Sequence, residues 1–312
     1  MISMRDAFGK ALMELGEKRR NFVVLDADVC GGTGTAPFRE AFPDRFIQCG
    51  IAEQNMVSLA AGLASCGIIP IVTCYAFAAL RAAEQIRNSI AYPDFPVKIV
   101  VSHLGLDVGP DGATHQAVED IAVFRSMPNL AVVAPADPCE LYAILPYILD
   151  IPKPFYMRTG RSPLPDVFAA DARFTPGKAI VLREGRDIAI LAVGVMVKRA
   201  VEAAELLEQD GIHCRVLNVS WLKPLDQDTI LAAAHDCGAI VTCEDHNRYG
   251  GLGGGVAELL STEYPVPLRM VALDDCYGES GDPAALAEKY GLTAPHIALA
   301  AREALRRKVD GK

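Results

Sequence analysis

Four features are missing from this 312-residue sequence, and each absence excludes a class of protein. Positive charge does not dominate. The formal net charge of −9 argues against general binding to nucleic acid or anionic membranes, so an anionic substrate would have to be held by local cations. Long apolar runs are missing too: the longest, Gly67 to Leu80, is short and interrupted by Pro70, and no membrane span is expected. Arg5, Asp6 and Lys10 stand where a signal peptide would need apolar residues, so export is not expected either. Cysteine pairing is the third absence. The nine cysteines (Cys30, Cys49, Cys66, Cys74, Cys139, Cys214, Cys237, Cys243, Cys276) are scattered singly, without a Cys-x-x-Cys pair, which fits a reducing cytoplasm. Finally, there is neither an internal repeat nor a low-complexity tract.

What remains is an ordinary globular composition, 51% hydrophobic and 22% charged. At about 100–200 residues per domain, the length suits two α/β domains. Ser3 with Asp6 reads as a capping box, and Ala7, Ala11, Leu12 and Leu15 follow at helical spacing. Phe22-Val23-Val24-Leu25 suits a buried strand that ends in Asp26-Ala27-Asp28 before a glycine-rich loop at Gly31-Gly32-Thr33-Gly34. Phe46–Gly50 predicts a short strand and turn, and Met56 to Cys66 a helix rich in Ala and Gly. Further strands are predicted at 71–73, 97–101 and 131–133, and Asp137-Pro138 supplies an N-cap and a first-turn proline for the next helix. Such alternation predicts a mostly parallel sheet with helices on both faces.

From Ile151 to Gly177 the chain is rich in proline and loses periodicity, which predicts a crossing segment near residues 160–186. The expected domains are 1–178 and 179–312. Strands at 188–193, 215–219, 239–243 and 268–271, with helices at 197–209 and 253–260, make the second domain α/β as well. Cys243-Glu244-Asp245-His246 ends a strand before a run of glycines from Gly250 to Gly255. That run could cradle a phosphate at a helix N-terminus, although a structural role is the preferred reading.

The chemistry is concentrated in two segments. Gly50-Ile51-Ala52-Glu53-Gln54-Asn55-Met56 puts one carboxylate at the mouth of a small-residue helix, where the dipole favours its charged form and where it can meet a ring nitrogen. Read alone, Glu53 is more readily an ordinary first-turn acid. Ser102 to Gln116 follows a strand directly and sets His103, Asp107, Asp111 and His115 in a glycine-rich loop, beyond a strand's carboxyl end where ligands of open α/β sheets bind. Singly, His103 and His115 could be structural or surface residues, and their spacing matches no common zinc pattern, so no metal site is expected.

Together, Ile-Ala-Glu-Gln-Asn-Met (51–56), Asp-Gly-Ala-Thr-His-Gln-Ala-Val-Glu-Asp (111–120), Met-Pro-Asn-Leu (127–130) and Val-Ala-Pro-Ala-Asp (133–137) resemble the C-terminal half of transketolase, over nearly the whole chain. The resemblance implies a thiamine-diphosphate pyrimidine-binding domain followed by the transketolase C-terminal domain. It implies that Glu53 hydrogen-bonds the aminopyrimidine N1′ atom and that His103, Asp111 and His115 face a ketose substrate. It further implies that Arg158 and Arg5 hold the substrate phosphate, that Tyr75, Phe77 and Arg81 line the pyrimidine, and that Asp28 lies near the cofactor. Tyr75 and Phe77 share a face if the strand continues through them, so both could instead be core.

Thiamine-diphosphate enzymes also need a Gly-Asp-Gly segment with an Asn about thirty residues on, to hold magnesium and the diphosphate, and this sequence has no such pair. The implied protein is therefore one subunit of a split transketolase. Its partner would carry the diphosphate-binding domain and most of the Mg2+ ligands, in a heterotetramer of two of each chain, and together they would move a two-carbon ketol unit from a sugar phosphate to an aldose. Three alternatives stay open: the beta subunit of a 2-oxoacid dehydrogenase, a relative of deoxyxylulose-phosphate synthase, and a non-catalytic assembly subunit.

Overall fold

The structure, a computed structural model, describes residues 2–163, 165–169 and 171–309. The outer ends of the expected domains, residues 1 and 312, lie outside them. The strands in chain order are β1 Phe22–Asp26, β2 Phe46–Gln48, β3 Ile69–Tyr75, β4 Lys98–Ser102, β5 Ala131–Val133, β6 Phe155–Arg158, β7 Ile180–Arg183, β8 Ile188–Ala192, β9 Cys214–Asn218, β10 Trp221–Lys223, β11 Ile240–Asn247 and β12 Leu268–Leu273. They form a seven-stranded sheet in the order β10-β5-β6-β4-β3-β1-β2 and a five-stranded sheet in the order β12-β11-β8-β9-β7. Both sheets are mostly parallel, as expected. The antiparallel pairs are β10 with β5 and β7 with β9.

Every residue of β4 and of β8 is buried, which is why these segments read as unbroken runs rather than alternating ones. Ser3 caps the first helix, Met4–Lys18, by accepting the Asp6 amide at 3.2 Å. Asp137 accepts the Glu140 amide at 2.9 Å and so starts the helix Pro138–Asp150, with proline in its first turn. Among the described residues no helix is long and apolar enough to cross a membrane, and all nine cysteines are free.

Two expectations about local structure need correction. The segment 31–34 is not an open loop: Cys30–Thr33 closes into a short helix that ends at Gly34 in the left-handed conformation. The cause is Asp26, fully buried at the end of β1. Its carboxylate accepts the Val29 amide at 2.8 Å and the Thr73 hydroxyl at 3.2 Å, folding the chain back over the sheet. The second correction concerns β10, which comes from beyond the expected boundary yet adds to the first sheet at β5. The largest apolar cluster likewise runs unbroken from Leu25, Val72 and Ile99 to Leu217, Leu222 and Leu252. The two halves therefore share a core, which gives the loops at their junction a fixed frame.

Candidate active site

Glu53 is the first residue of the helix Glu53–Ser65, whose N-cap, Ala52, has no side chain able to cap it. The helix buries Met56, Val57, Ala60, Ala61 and Ala64 against the sheet, and this packing carries Glu53 inward as well. Its Oε2 is buried without a hydrogen-bond partner, and the nearest cation, Nη1 of the mostly exposed Arg81, stands 3.7 Å away. A buried acceptor left without a donor costs about 1–3 kcal/mol, and more when charged. The free oxygen is accordingly the expected mark of a ligand position. Glu53 also lies close to the end of β3, where burial, with the Glu53 and Asp26 carboxylates adding, pushes the Cys74 thiol up.

Four rings gather where β3 passes into the helix that carries Arg81. Tyr75 ends β3 and Phe77 opens the next helix, Ala76–Arg81, with ring centroids 6.0 Å apart. The His103 ring lies 3.9 Å from that of Tyr75, and His115 meets Phe77 edge-on at 4.6 Å. Phe77 and Arg81 are four residues apart on the same helix and so share its face. Gly32, in the short helix after β1, approaches the Tyr75 ring so closely that a Cβ there would collide with it. The segment that reads as a glycine-rich loop thus packs against Tyr75 through Gly32.

His103 has φ +61°, and its Nδ1 lies 2.9 Å from the Ser102 hydroxyl. Burial, with Arg161 and Arg5 adding, pushes this imidazole down to about 4, so it is neutral at pH 7. The unfolded chain takes up this proton from about pH 6.5. The folded chain takes it up only near pH 4, so the stability contribution is complete above the unfolded value and lost as pH falls toward the folded one. An NMR titration of His103 should show no ionisation between about pH 5.5 and 8; a midpoint near the ordinary histidine value of about 6.5 would overturn this placement. His115 is half-buried, with Nδ1 at 2.9 Å from the Thr114 hydroxyl.

The cations are arranged differently from the expectation. Arg158 does not stand free for a phosphate. It is 5% exposed, and its Nε and Nη2 donate to the two oxygens of the fully buried Asp120 at 2.9 and 3.1 Å, while Tyr156 donates to the same carboxylate at 2.7 Å. Strand alternation explains this: Tyr156 and Arg158 point to the same face of β6, inward. A cation that sequence reasoning missed, Arg161, lies beside the two imidazole-bearing segments. It lies three residues beyond the strand and is 30% exposed, with Nη1 on Asp111 at 2.9 Å and its field on both His103 and Tyr75. Arg5 acts on the same two rings, and its Nε is buried without a hydrogen bond. The two arginines are neighbours because the Arg5 amide donates to the Gly160 carbonyl at 3.2 Å. Asp28 is exposed at φ +66°, with its amide on Gln48 at 2.9 Å; the tightly held acid of that turn is Asp26.

The glycine run of the second domain has a structural occupant, as preferred from the sequence. The Glu244 carboxylate accepts the Leu252 and Gly253 amides at 2.7 and 2.8 Å, filling the N-terminus of the helix Leu252–Glu263 from inside. Among the described residues no group of three or more His, Cys, Asp or Glu is placed to hold a metal ion.

The site therefore combines a buried carboxylate oxygen awaiting a donor, Arg81 near it, an aromatic pair with two imidazoles at least one of which is neutral, and two further guanidinium groups. Such a set can share a proton with a ring nitrogen, hydrogen-bond the hydroxyls of a polar substrate and receive an anionic tail. Comparison with known proteins gives the family. Residues 1–166 match the family model for the transketolase pyrimidine binding domain, and residues 177–297 that for the transketolase C-terminal domain. The 6-deoxy-6-sulfo-D-fructose transketolase subunit of Clostridium sp. (strain MSTE9) is 42% identical over 306 residues, covering 98% of this chain and 95% of its own. A subunit of the apulose-4-phosphate transketolase of Phocaeicola vulgatus is 37% identical over 309 residues, covering 98% and 99%. A solved structure described as a split gene transketolase, inactive beta4 tetramer, superposes with a TM-score of 0.90 at 47% identity, covering 98% and 99%.

Proposed function

Because the chain belongs to the transketolase family, through both its pyrimidine-binding and its C-terminal domain, we propose that it is the C-terminal subunit of a split transketolase. In this reading it transfers a two-carbon ketol unit from a ketose with an anionic tail, phosphate or sulfonate, to an aldose. The observation that carries the reading is the orphaned Oε2 of Glu53, 3.7 Å from Nη1 of Arg81 on the helix that also carries Phe77. A buried carboxylate oxygen without a donor, with an aromatic pair on the elements that carry its neighbours Cys74 and Arg81, fits the aminopyrimidine half of thiamine diphosphate, which the family uses.

When bound, thiamine diphosphate supplies the nucleophilic carbon and the electron sink that cleavage next to a carbonyl requires. This chain contributes the proton chemistry and the substrate contacts. Glu53 would hold a proton shared with the N1′ atom, in a pocket from which Tyr75 and Phe77 exclude water. His103, neutral at pH 7, and His115 would hydrogen-bond the ketose hydroxyls and the oxygen on which charge develops. Arg161 and Arg5 would receive the anionic tail, with Asp111 orienting Arg161.

The diphosphate and Mg2+ do not fit this chain. Its sequence has no Gly-Asp-Gly segment, and its glycine-rich helix N-terminus is filled by Glu244. We assign both to a partner chain, in a complex of two of each. Two relatives that span the same length as this chain carry names of transketolase subunits, which supports that division. Mixing this chain with the partner, thiamine diphosphate, Mg2+, an aldose phosphate and either fructose 6-phosphate or 6-deoxy-6-sulfofructose should give ketol transfer that neither chain shows alone. Full activity from this chain alone, or none from the mixture with any ketose phosphate or sulfonate, would overturn the reading.

A further inference from the structure

We propose that Asp245 of the second domain is a positioning residue that sets the conformation of the loop carrying His103, Asp111 and His115. The inference rests on the function proposed above. Two residues at the start of this loop have positive φ, His103 at +61° and Gly105 at +45°. A non-glycine residue held there costs about 1–3 kcal/mol and keeps that conformation only where its surroundings impose it. The constraint comes from the other half of the molecule. Asp245 lies near the end of β11, is 6% exposed, and its Oδ1 accepts the Leu106 amide at 3.0 Å from 139 residues away in sequence.

The fit is close enough to dictate a residue type. The Asp245 carboxylate fills the space that a Cβ on Gly105 would need, so the turn admits only glycine while the aspartate is in place. The Gly105 amide donates to the Ala117 carbonyl at 2.9 Å and closes the base of the loop. Its far end is tied to the second domain too, where Gln116 Nε2 donates to the Glu279 carbonyl at 2.9 Å. Glu53, by contrast, rides on a helix of the first domain. The separation between the proton-sharing carboxylate and the two imidazoles thus depends on the grip of the second domain on this loop. Asp245 acts through the Leu106 backbone rather than on a substrate, and misplacing reacting groups by about 1 Å can cost about 10²-fold in rate.

The test has two arms. In hydrogen exchange on the full chain alone, Asp245→Ala should raise exchange across residues 104–117 by at least about tenfold, the equivalent of losing one hydrogen bond worth about 1.4 kcal/mol, and leave 53–65 unchanged. Asp245→Asn keeps an acceptor for the Leu106 amide and should stay within about twofold of wild type on the same scale. In the assembled enzyme, Asp245→Ala should raise KM for the ketose by at least about tenfold with cofactor affinity unchanged, and Asp245→Asn should restore it. Unchanged exchange over 104–117, or equal losses of ketose and cofactor affinity, would overturn the inference. If Asp245→Ala does not fold, Gly105→Ala displaces the same contact and faces the same exchange criterion. Absence of ketol transfer by the wild-type complex would sink the proposed function, while the exchange arm would still decide the role of Asp245 in the loop.

Discussion

Replacing Glu53 by alanine is expected to lower kcat of the assembled enzyme by at least about 10³-fold, within the range of about 10²–10⁴ for a positioned acid–base group. The physical reason is the isolation of its Oε2. A solvated carboxylate would share the task with water, whereas this oxygen is buried, lacks a hydrogen bond and has only a distant guanidinium nearby. The same isolation predicts that the fold does not depend on it. Alanine at the first position of a helix removes a buried acceptor without a donor, which offsets the lost first-turn acid, so the stability of Glu53→Ala should stay within about 1 kcal/mol of wild type. Glu53→Gln keeps the shape but cannot share the proton in the same way, and should lose nearly as much activity. Paired measurement of kcat and the unfolding midpoint checks both. Turnover near wild type, or a marked loss of stability, would return Glu53 to the ordinary first-turn acid that it resembles in isolation.

Arg158→Leu should have its largest effect on stability. Its guanidinium is held by both oxygens of Asp120, and both residues are buried. Removing one member of such a pair strands the other and costs about 3–5 kcal/mol. Tyr156, whose hydroxyl shares the carboxylate, would offset only part of that loss. The urea midpoint of the chain should fall accordingly, and Asp120→Asn should behave alike. Arg161→Leu should do the opposite. Arg161 is part-exposed at the site rim, so its loss should cost about 1 kcal/mol or less in stability. It should raise KM for a ketose phosphate or sulfonate by at least about tenfold, the worth of one charge-assisted contact. An Arg158→Leu variant with unchanged stability and a raised KM would reinstate Arg158 as the anion-binding residue.

The two arginines show where sequence reading stopped. Arg158 falls where the transketolase resemblance leads one to look, and the nearby Arg161 has nothing in its immediate sequence to mark it. The deciding signal was faint: Tyr156 and Arg158 are two apart on a strand, hence on one face, and Asp120 is available to that face. Recognising it requires knowing that the helix Asp120–Arg125 packs against that face of β6. Similarly, β10 is a three-residue strand in the second half of the chain, and nothing in Trp221-Leu222-Lys223 says that its partner is β5 in the first half.

By itself the sequence determined the two α/β halves, nine of the twelve strands (not β6, β7 or β10) and the two segments that carry Glu53 and the His103–His115 loop. These are local matters, set by apolar runs, caps and turn residues within a few positions of one another. Only the tertiary structure decided which arginine lies part-exposed and which is buried, why Gly32 packs under Tyr75, and how Asp245 holds a loop 139 residues away. Those outcomes depend on which surfaces meet and which polar groups lose water when they do, and a chain acquires both properties only when its distant segments are packed together.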